Sequence, residues 1–415
     1  MTTLPAAPAA AATGDDELAG LAALAGEGAA AMVRRVRELH EAIAARSFGA
    51  VAGSAASRAV HDTIASGVYA GLQAGARLAG TGLASAIRAA GGGPPVSDHA
   101  HGRLAQSALN GWIGDRLEAA ANPLRIRMAV RAGGRDIALE PGALATAFPA
   151  ATARPVVFVH GLGESDTAWS LHAREHGGTY ASRVLPAVGG TAVLLRYNTG
   201  LRVAENGRRL SALLEALVAA WPVEVRDLAL VGHSMGGLVI RSAGHAADEA
   251  GHRWPRRARA TVCLGTPHLG APLEQATSLA TAGLRRVPEA RPVAAVLASR
   301  SAGIKDLRHG SLVDAEWEGR DPDAWSGHRR VDVPLLAGVT HHVVAATVAA
   351  DPDHPVSRVV GDLLVLSASA HGRRGRRQVI GFEAASCRHV GRHDHFDLLN
   401  SPRIDPLLRE WLRGA

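Results

Sequence analysis

The sequence predicts an α/β architecture: a mostly parallel sheet with helices on both faces, an N-terminal helical extension and an inserted cap region. Three observations carry this expectation. From about residue 124 onward, short apolar runs alternate with helical patterns, as strand–helix–strand units require. Runs such as "RPVVFVHGLG" and "LALVGHSMGG" are apolar without alternation, as strands covered on both faces are. Residues 1–121, by contrast, carry only helical spacing. At 415 residues the chain is long enough to bury a large core, and 47% apolar content is ordinary for a globular protein.

Residues 1 to about 13 are small residues and prolines without period, and read as disordered. The helical pattern begins at Asp15. Val33, Val36, Leu39 and Ile43 form one apolar stripe, and Val60, Ile64, Val68 and Leu72 a second. "GGGPPVSD" (Gly91–Asp98) interrupts them, and a third helix is expected over 100–121. An amphipathic element on a membrane surface is the other reading of this extension; the mixed signs of its charged face argue against it. In "LRIRMAVRAGGRDIALE" (Leu124–Glu140), Ile126, Met128 and Val130 alternate with arginines before a Gly-Gly turn, which is a hairpin pattern.

The α/β domain is expected over 122–415. Its later strands are expected at "TAVLLRYN", "DLALVG", "RATVCLG", "VPLLAGV" and "RQVIGFEAA". Helices are expected over Tyr180–Val188, over Val203–Ala220, from Gly237, and over Phe396–Leu412. Residues 267–330, rich in proline, glycine and charge, break the alternation and read as the cap.

Composition excludes more than it selects. The net charge is +7, yet Lys305 is the only lysine and the arginines are scattered, so no nucleic-acid partner is expected. The dense run Arg373, Arg374, Arg376 and Arg377 reads as a solvated loop. Cys263 and Cys387 alone make neither a disulfide framework nor a zinc site. The N-terminus lacks a basic stretch followed by an apolar one, so no signal peptide is expected. The longest uncharged stretch, Val333–Ala350, holds Pro334, Gly338, His341 and His342 and makes a poor membrane span. A soluble cytoplasmic protein is expected, with the N-terminal helices as the one candidate for peripheral membrane contact.

"GHSMG" (Gly232–Gly236) fits G-x-S-x-G, with an apolar strand before it and a helical run after it. Small neighbours let the chain pass itself at a sharp strand-to-helix turn that presents Ser234. A serine hydroxyl is a weak nucleophile and needs a base, which needs an orienting carboxylate. In this kind of turn the partners follow in the order acid, then histidine. Asp362 after Gly361 is the candidate acid, with Asp351, Asp353 and Asp306 as rivals. His395 at a loop-to-helix junction is the candidate base, with His393 and His389 as rivals. His233 is expected to pack beside the turn. Backbone N–H groups of Met235 and of Leu162, in "VFVHGLGES", are the candidate oxyanion donors.

Taken together, "FVHGLG", "VGHSMGGLV", "GTPHLGAPLE", "GDLLV" and "HFDLLNSPRI" resemble the α/β-hydrolase superfamily, and within it bacterial esterase/lipase-like proteins related to the GPI inositol-deacylases. The resemblance covers residues 124–415. It implies the α/β-hydrolase fold, Ser234 as nucleophile, Asp362 as acid, His395 as base, and Leu162 and Met235 as oxyanion donors. It implies that "GTPHLGAP" (Gly265–Pro272) shapes a wall of the site. The sequence departs from it at Leu363, where many relatives carry glycine. The first 120 residues resemble an extension of some actinobacterial relatives. The expected activity is cleavage of an apolar or lipid-like carboxylic ester, with no metal or organic cofactor. An acyltransferase or thioesterase would use the same triad. A non-catalytic interaction or membrane-docking protein is the remaining class, and the intact Ser–Asp–His order argues against it.

Overall fold

The computed structural model describes residues 13–49, 55–91, 99–271, 298–319, 329–375 and 377–413, with Leu284 and Ala295. The segment expected to be disordered, up to residue 12, lies outside these. Two long helices open the chain, α1 (Gly14–Gly49) and α2 (Ala55–Ala90). They run antiparallel: Asp16 faces Arg88 at 3.9 Å and Glu27 faces Arg77 at 3.1 Å, so partners rise along α1 as they fall along α2. The smallest residues build their contact. A methyl group on Gly26 would lie 2.8 Å from Gly80 Cα, and Ala19, Ala22 and Ala84 are buried nearby. Of the two apolar stripes, Val36 (49%) and Leu72 (54%) reach solvent, because close backbone approach leaves no room for larger side chains between the helices. The side chains of Leu39, Ile43, Val60, Ile64 and Val68 lie outside the described ones.

Helix α3 (Ala100–Ala119) is bound by polar and small residues rather than by an apolar stripe. Its buried face includes Gln106, Asn110, Gly111 and Gly114. Asn110 Nδ2 donates to Leu124 O at 2.8 Å, and Asn110 Oδ1 accepts from Ile126 N–H at 2.9 Å. Asn198 Nδ2 donates to Gly114 O at 2.9 Å, and a side chain at Gly114 would strike Asn198.

The strands are β1 (Ala129–Ala132), β2 (Arg135–Ile137), β3 (Pro155–Val159), β4 (Thr191–Arg196), β5 (Leu228–His233), β6 (Ala258–Leu264), β7 (Thr340–Thr347), β8 (Arg373–Arg374), β9 (Arg377–Gln378) and β10 (Cys387–Gly391). Eight of them form one sheet in the order β10-β7-β6-β5-β3-β4-β1-β2. The hairpin β1–β2 joins β4 antiparallel; every other pair in this sheet is parallel. Helices α4 (Pro141–Ala147), α5 (Tyr180–Arg183), α6 (Leu185–Val188), α7 (Val203–Ala220) and α8 (Met235–Ala250) accompany it. Alternate residues of β3 serve opposite layers. Val157 and Val159 pack in one core with residues of α7 and α8. Val156 and Phe158 pack in the other with α5, α6 and the C-terminal helix Asp405–Trp411. This is the doubly covered, mostly parallel sheet that the sequence predicts.

Three elements differ from expectation. "VPLLAGV" is not a strand; the strand is the following "THHVVAAT". Pro334 has no N–H for a ladder, and Gly338 turns the chain at φ 73°. "RQVIGFEAA" contributes only the two residues of β9, paired with β8, and the sheet edge is the next run, "CRHVG". Ile380 and Phe382 instead cover Val343. The last helix starts at Asp405 rather than Phe396, because Asn400 at φ 64° and the following Pro402 interrupt it after a short turn. Much of the expected cap over 267–330 lies outside the described residues, as do Arg376 and residues 92–98. The described part holds a short helix, Ala302–Asp306, set against α3: Ser301 Oγ donates to Gly111 O at 2.6 Å. No helix among the described residues is long and apolar enough to cross a membrane.

Gly114→Ala tests the seating of α3. The added methyl would displace Asn198, which also accepts from Gly200 N–H at 3.0 Å. The expected loss is about 1–3 kcal/mol, read by denaturant unfolding. An unchanged midpoint would mean that α3 is not held at this contact.

Candidate active site

Ser234 stands between β5 and α8 at φ 52°, ψ −121°, a conformation costly for any residue with a side chain. Close packing imposes it. A methyl group on Gly232 would meet Gly237 N at 2.6 Å, and one on Gly236 would meet Val159 O at 2.2 Å. The chain can therefore cross the end of β3 only with glycine on both sides of the serine. Ser234 N–H donates to Leu264 O at 2.8 Å, which fixes the turn against β6. Met235 opens α8, so its N–H is one of the free donors at a helix start.

The turn after β3 lies against the serine. A methyl group on Gly161 would come within 3.0 Å of Ser234 Cβ. Most polar groups of this turn are engaged. Gly161 N–H donates to Glu164 Oε2 at 2.6 Å, and Gly163 N–H donates to Thr199 Oγ1 at 3.0 Å. Gly161 O accepts from Glu164 N–H at 3.3 Å and lies 2.9 Å from His160 Nδ1. The N–H between the two committed amides, that of Leu162, has no partner among the described residues. Burial holds the His160 pKa below its usual value, in keeping with a neutral ring. Tyr197 N–H points at His160 Nε2, so Nδ1 carries the proton.

The structure brings Asp362 and His395 together. Oδ2 of Asp362 and Nδ1 of His395 are 2.8 Å apart, and both residues are almost wholly buried. Oδ1 of Asp362 accepts from Leu364 N–H at 3.0 Å and Val365 N–H at 2.7 Å. A second tie runs from His395 N–H to Asp362 O at 2.9 Å. A carboxylate facing Nδ1 places the proton there and leaves Nε2 as the basic nitrogen. That Nε2 is buried without a hydrogen-bond partner. The ring lies over Gly265, where a methyl group would come within 3.1 Å of Cε1. Gly265 directly follows Leu264, the acceptor for Ser234 N–H. "GTPHLGA" thus leaves β6 beneath the histidine, as a wall of the site.

Leu363, the departure from the family pattern, sits at φ 83°. That backbone favours glycine, and this chain accepts leucine there, 57% exposed.

The rival residues are engaged elsewhere. His393 Nε2 pairs with Ser401 Oγ at 2.8 Å, and His389 Nε2 with Thr347 Oγ1 at 2.8 Å. Asp306 accepts from Arg202 Nη1 at 2.5 Å and from Val203 N–H, at the start of α7. Asp351 and Asp353 are exposed, and Asp353 pairs with Arg358 at 3.0 Å.

His233 packs beside the turn as expected, and it does more. It is fully buried, with Nδ1 2.9 Å from Glu164 Oε1 and Nε2 3.1 Å from His395 O. Burial would raise the Glu164 pKa, but the His233 charge and hydrogen bond, with Gly161 N–H, outweigh it and hold it at about 2. Burial likewise opposes a charged His233, and Glu164 with the His395 carbonyl overcomes this and raises its pKa. Sequence reasoning missed Glu164. Its only local signal is a carboxylate three residues after a glycine whose N–H needs an acceptor.

Residues 150–319 match the family model of the PGAP1-like alpha/beta domain. No curated protein matches the chain. Among solved structures, the mature lipase BlEst2 of Bacillus licheniformis is 19% identical, with 61% of this chain and 91% of that one covered and a TM-score of 0.37. Lipase B of Aspergillus fumigatus is 12% identical over 70% of this chain and 57% of that one, at a TM-score of 0.38. An esterase of Pyrobaculum calidifontis is 13% identical over 63% and 76%, at 0.35. The fold rests on the strand order described above, not on these scores. Residues 150–319, which hold both the turn after β3 and the serine turn, are thus similar to a PGAP1-like alpha/beta domain.

Proposed function

We propose that the chain is a serine hydrolase that cleaves carboxylic esters through an acyl-enzyme. One observation carries this reading: a buried His395–Asp362 pair whose remaining ring nitrogen has no partner, set over the residue that follows the acceptor of Ser234 N–H. His268 and His342 also bury ring nitrogens without partners, but among the described residues neither faces a carboxylate; His393 has both nitrogens engaged. In this reading Ser234 Oγ attacks the acyl carbon and its proton passes to His395 Nε2. Asp362 keeps the ring in the useful tautomer and stabilises the imidazolium. The oxyanion is met by the N–H groups of Met235 and Leu162. The alcohol leaves with the proton held on His395, and water repeats the sequence on the acyl-enzyme.

An apolar, lipid-like ester is the substrate class this reading favours. Phe396, 43% exposed, stands edge-on to the His395 ring at 5.7 Å, and exposed Leu363 follows the acid. Both put apolar surface beside the reacting groups.

A fluorophosphonate probe is expected to label the wild-type chain and not Ser234→Ala; equal labelling of the two would overturn the assignment. An ester chain-length panel with competing alcohol and thiol then reads the acceptor, water being expected. His395→Ala is expected to lower kcat by about 10⁴–10⁶-fold, the scale of a lost triad member. His393→Ala is expected to keep kcat at the wild-type order, and the reverse result would move the base to His393.

A further inference from the structure

Two buried carboxylate–imidazole pairs lie side by side next to the serine turn, their rings 4.8 Å apart, and only one is used by the proposed chemistry. The other joins segments that are distant in sequence. Glu164 belongs to the turn after β3, His233 ends β5, and the carbonyl that His233 reaches belongs to His395. Side-chain exposure is 12% for Glu164 and 0% for His233. The Glu164 carboxylate does two things at once: it accepts Gly161 N–H at 2.6 Å and faces His233 Nδ1 at 2.9 Å.

We propose that Glu164 and His233 form a charged strap that positions the oxyanion turn and the His395 loop relative to one another. This rests on the serine-hydrolase reading, within which both are positioning residues, not catalytic ones. The protonation state follows from geometry. Each ring nitrogen of His233 faces only an oxygen acceptor, the carboxylate on one side and the His395 carbonyl on the other. A neutral ring would set a lone pair against one of them. His233 is therefore an imidazolium, with both N–H groups donating.

The charge balance suits the reaction. The His233 and His395 rings are 4.8 Å apart, so an unbalanced cation at His233 would oppose the second imidazolium that forms on His395. Glu164 cancels it. The strap also constrains Leu162. With Gly161 N–H held by Glu164 and Gly163 N–H held by Thr199, the peptide between them has little freedom, and its N–H keeps one direction.

The groups around His233 define the pH dependence. Glu164 faces it from the oxyanion turn, His160 from the end of β3, Asp362 from the acid loop, and the His395 ring and carbonyl from the base loop. Trp169 and Phe396 cover it with apolar edges. The folded pKa of His233 is raised and that of Glu164 is held at about 2, so the strap is formed from above the Glu164 value through the ordinary histidine value of about 6.5, and is lost as pH rises through the raised His233 value.

Two readouts test this. In the 15N-histidine-labelled wild-type chain, with His233 assigned from His233→Gln, both ring nitrogens are expected to be protonated at pH 7. A neutral His233 there overturns the strap. This measurement needs no turnover, so it stands apart from the fate of the esterase reading, which the fluorophosphonate probe decides. In the second, Glu164→Gln is expected to lower kcat on a short ester by about 10–10²-fold with KM little changed. That is less than the roughly 10²–10³-fold cost of removing an oxyanion donor outright. The variant is also expected to lose the alkaline fall in activity that His233 deprotonation gives the wild type. Wild-type kcat and an unchanged alkaline limb in Glu164→Gln would overturn the proposal.

Discussion

The crossing of β5 and α8 at Ser234 is the constraint on which the site depends. Four segments meet there: the end of β3, the end of β5, the first turn of α8 and the exit of β6. Val159 O leaves no space for a side chain on Gly236, Thr266 leaves none on Gly237, and Leu264 O takes the serine N–H. The positive φ of Ser234 is the only way through that crossing. Strain of about 1–3 kcal/mol at one residue is sustained by the two cores that fix the flanking strands. The serine is thus held by elements whose stability has nothing to do with the substrate.

Around that crossing the structure uses the same chemical pair twice to different ends. Asp362–His395 leaves one ring nitrogen open, and Glu164–His233 leaves none. Both imidazoles are buried and both face a carboxylate, so burial and charge alone do not separate the proposed base from the proposed strut. The second nitrogen does. Of the two carboxylate-paired rings, His395 keeps a nitrogen open, as the proposed reaction requires, while His233 fills both. The two pairs also share a residue, since the carbonyl that His233 reaches belongs to His395. The turn after β3 is thereby linked to the His395 loop.

The N-terminal part of the chain bears on the same turn. On α3, a methyl group at Gly111 would come within 3.0 Å of Gly163 Cα, and Gly111 O accepts from Ser301. The turn after β3 therefore sits between α3 and the core of the sheet. The paired helices α1 and α2 join this body near the start of α1, where Asn122 Nδ2 reaches Gly20 O at 3.4 Å. Asn110, Gly114 and Asn198 dock α3 by hydrogen bonds and close approach, not by an apolar face.

That difference explains what the sequence made legible. A parallel strand buried on both faces announces itself by composition, and a turn that needs glycine on both sides of a serine announces itself by spacing. The hairpin, β3, β4, β5, β6 and the turn at Ser234 were readable on those grounds; Asp362 and His395 were candidates from chain order alone, and the fold brings them within 2.8 Å of each other. Hydrophobic runs misled where apolar residues cover a strand instead of forming one, as Ile380 and Phe382 do over Val343. The packing of α1 and α2 was hidden because glycine and alanine make the contact and valine and leucine face solvent. Glu164 was hidden for a deeper reason. Its partners are the N–H three residues before it, a histidine on another strand and, through that, a carbonyl near the C-terminus. No local pattern encodes such a link; only the fold brings its ends together. Leu363 marks the opposite limit, where sequence departs from pattern and the backbone does not. Its left-handed φ is set by the turn that aims Asp362 at His395, and the chain keeps that turn although leucine is a poor occupant of it. The demand of the Asp362–His395 contact outweighs the local preference of the residue beside it.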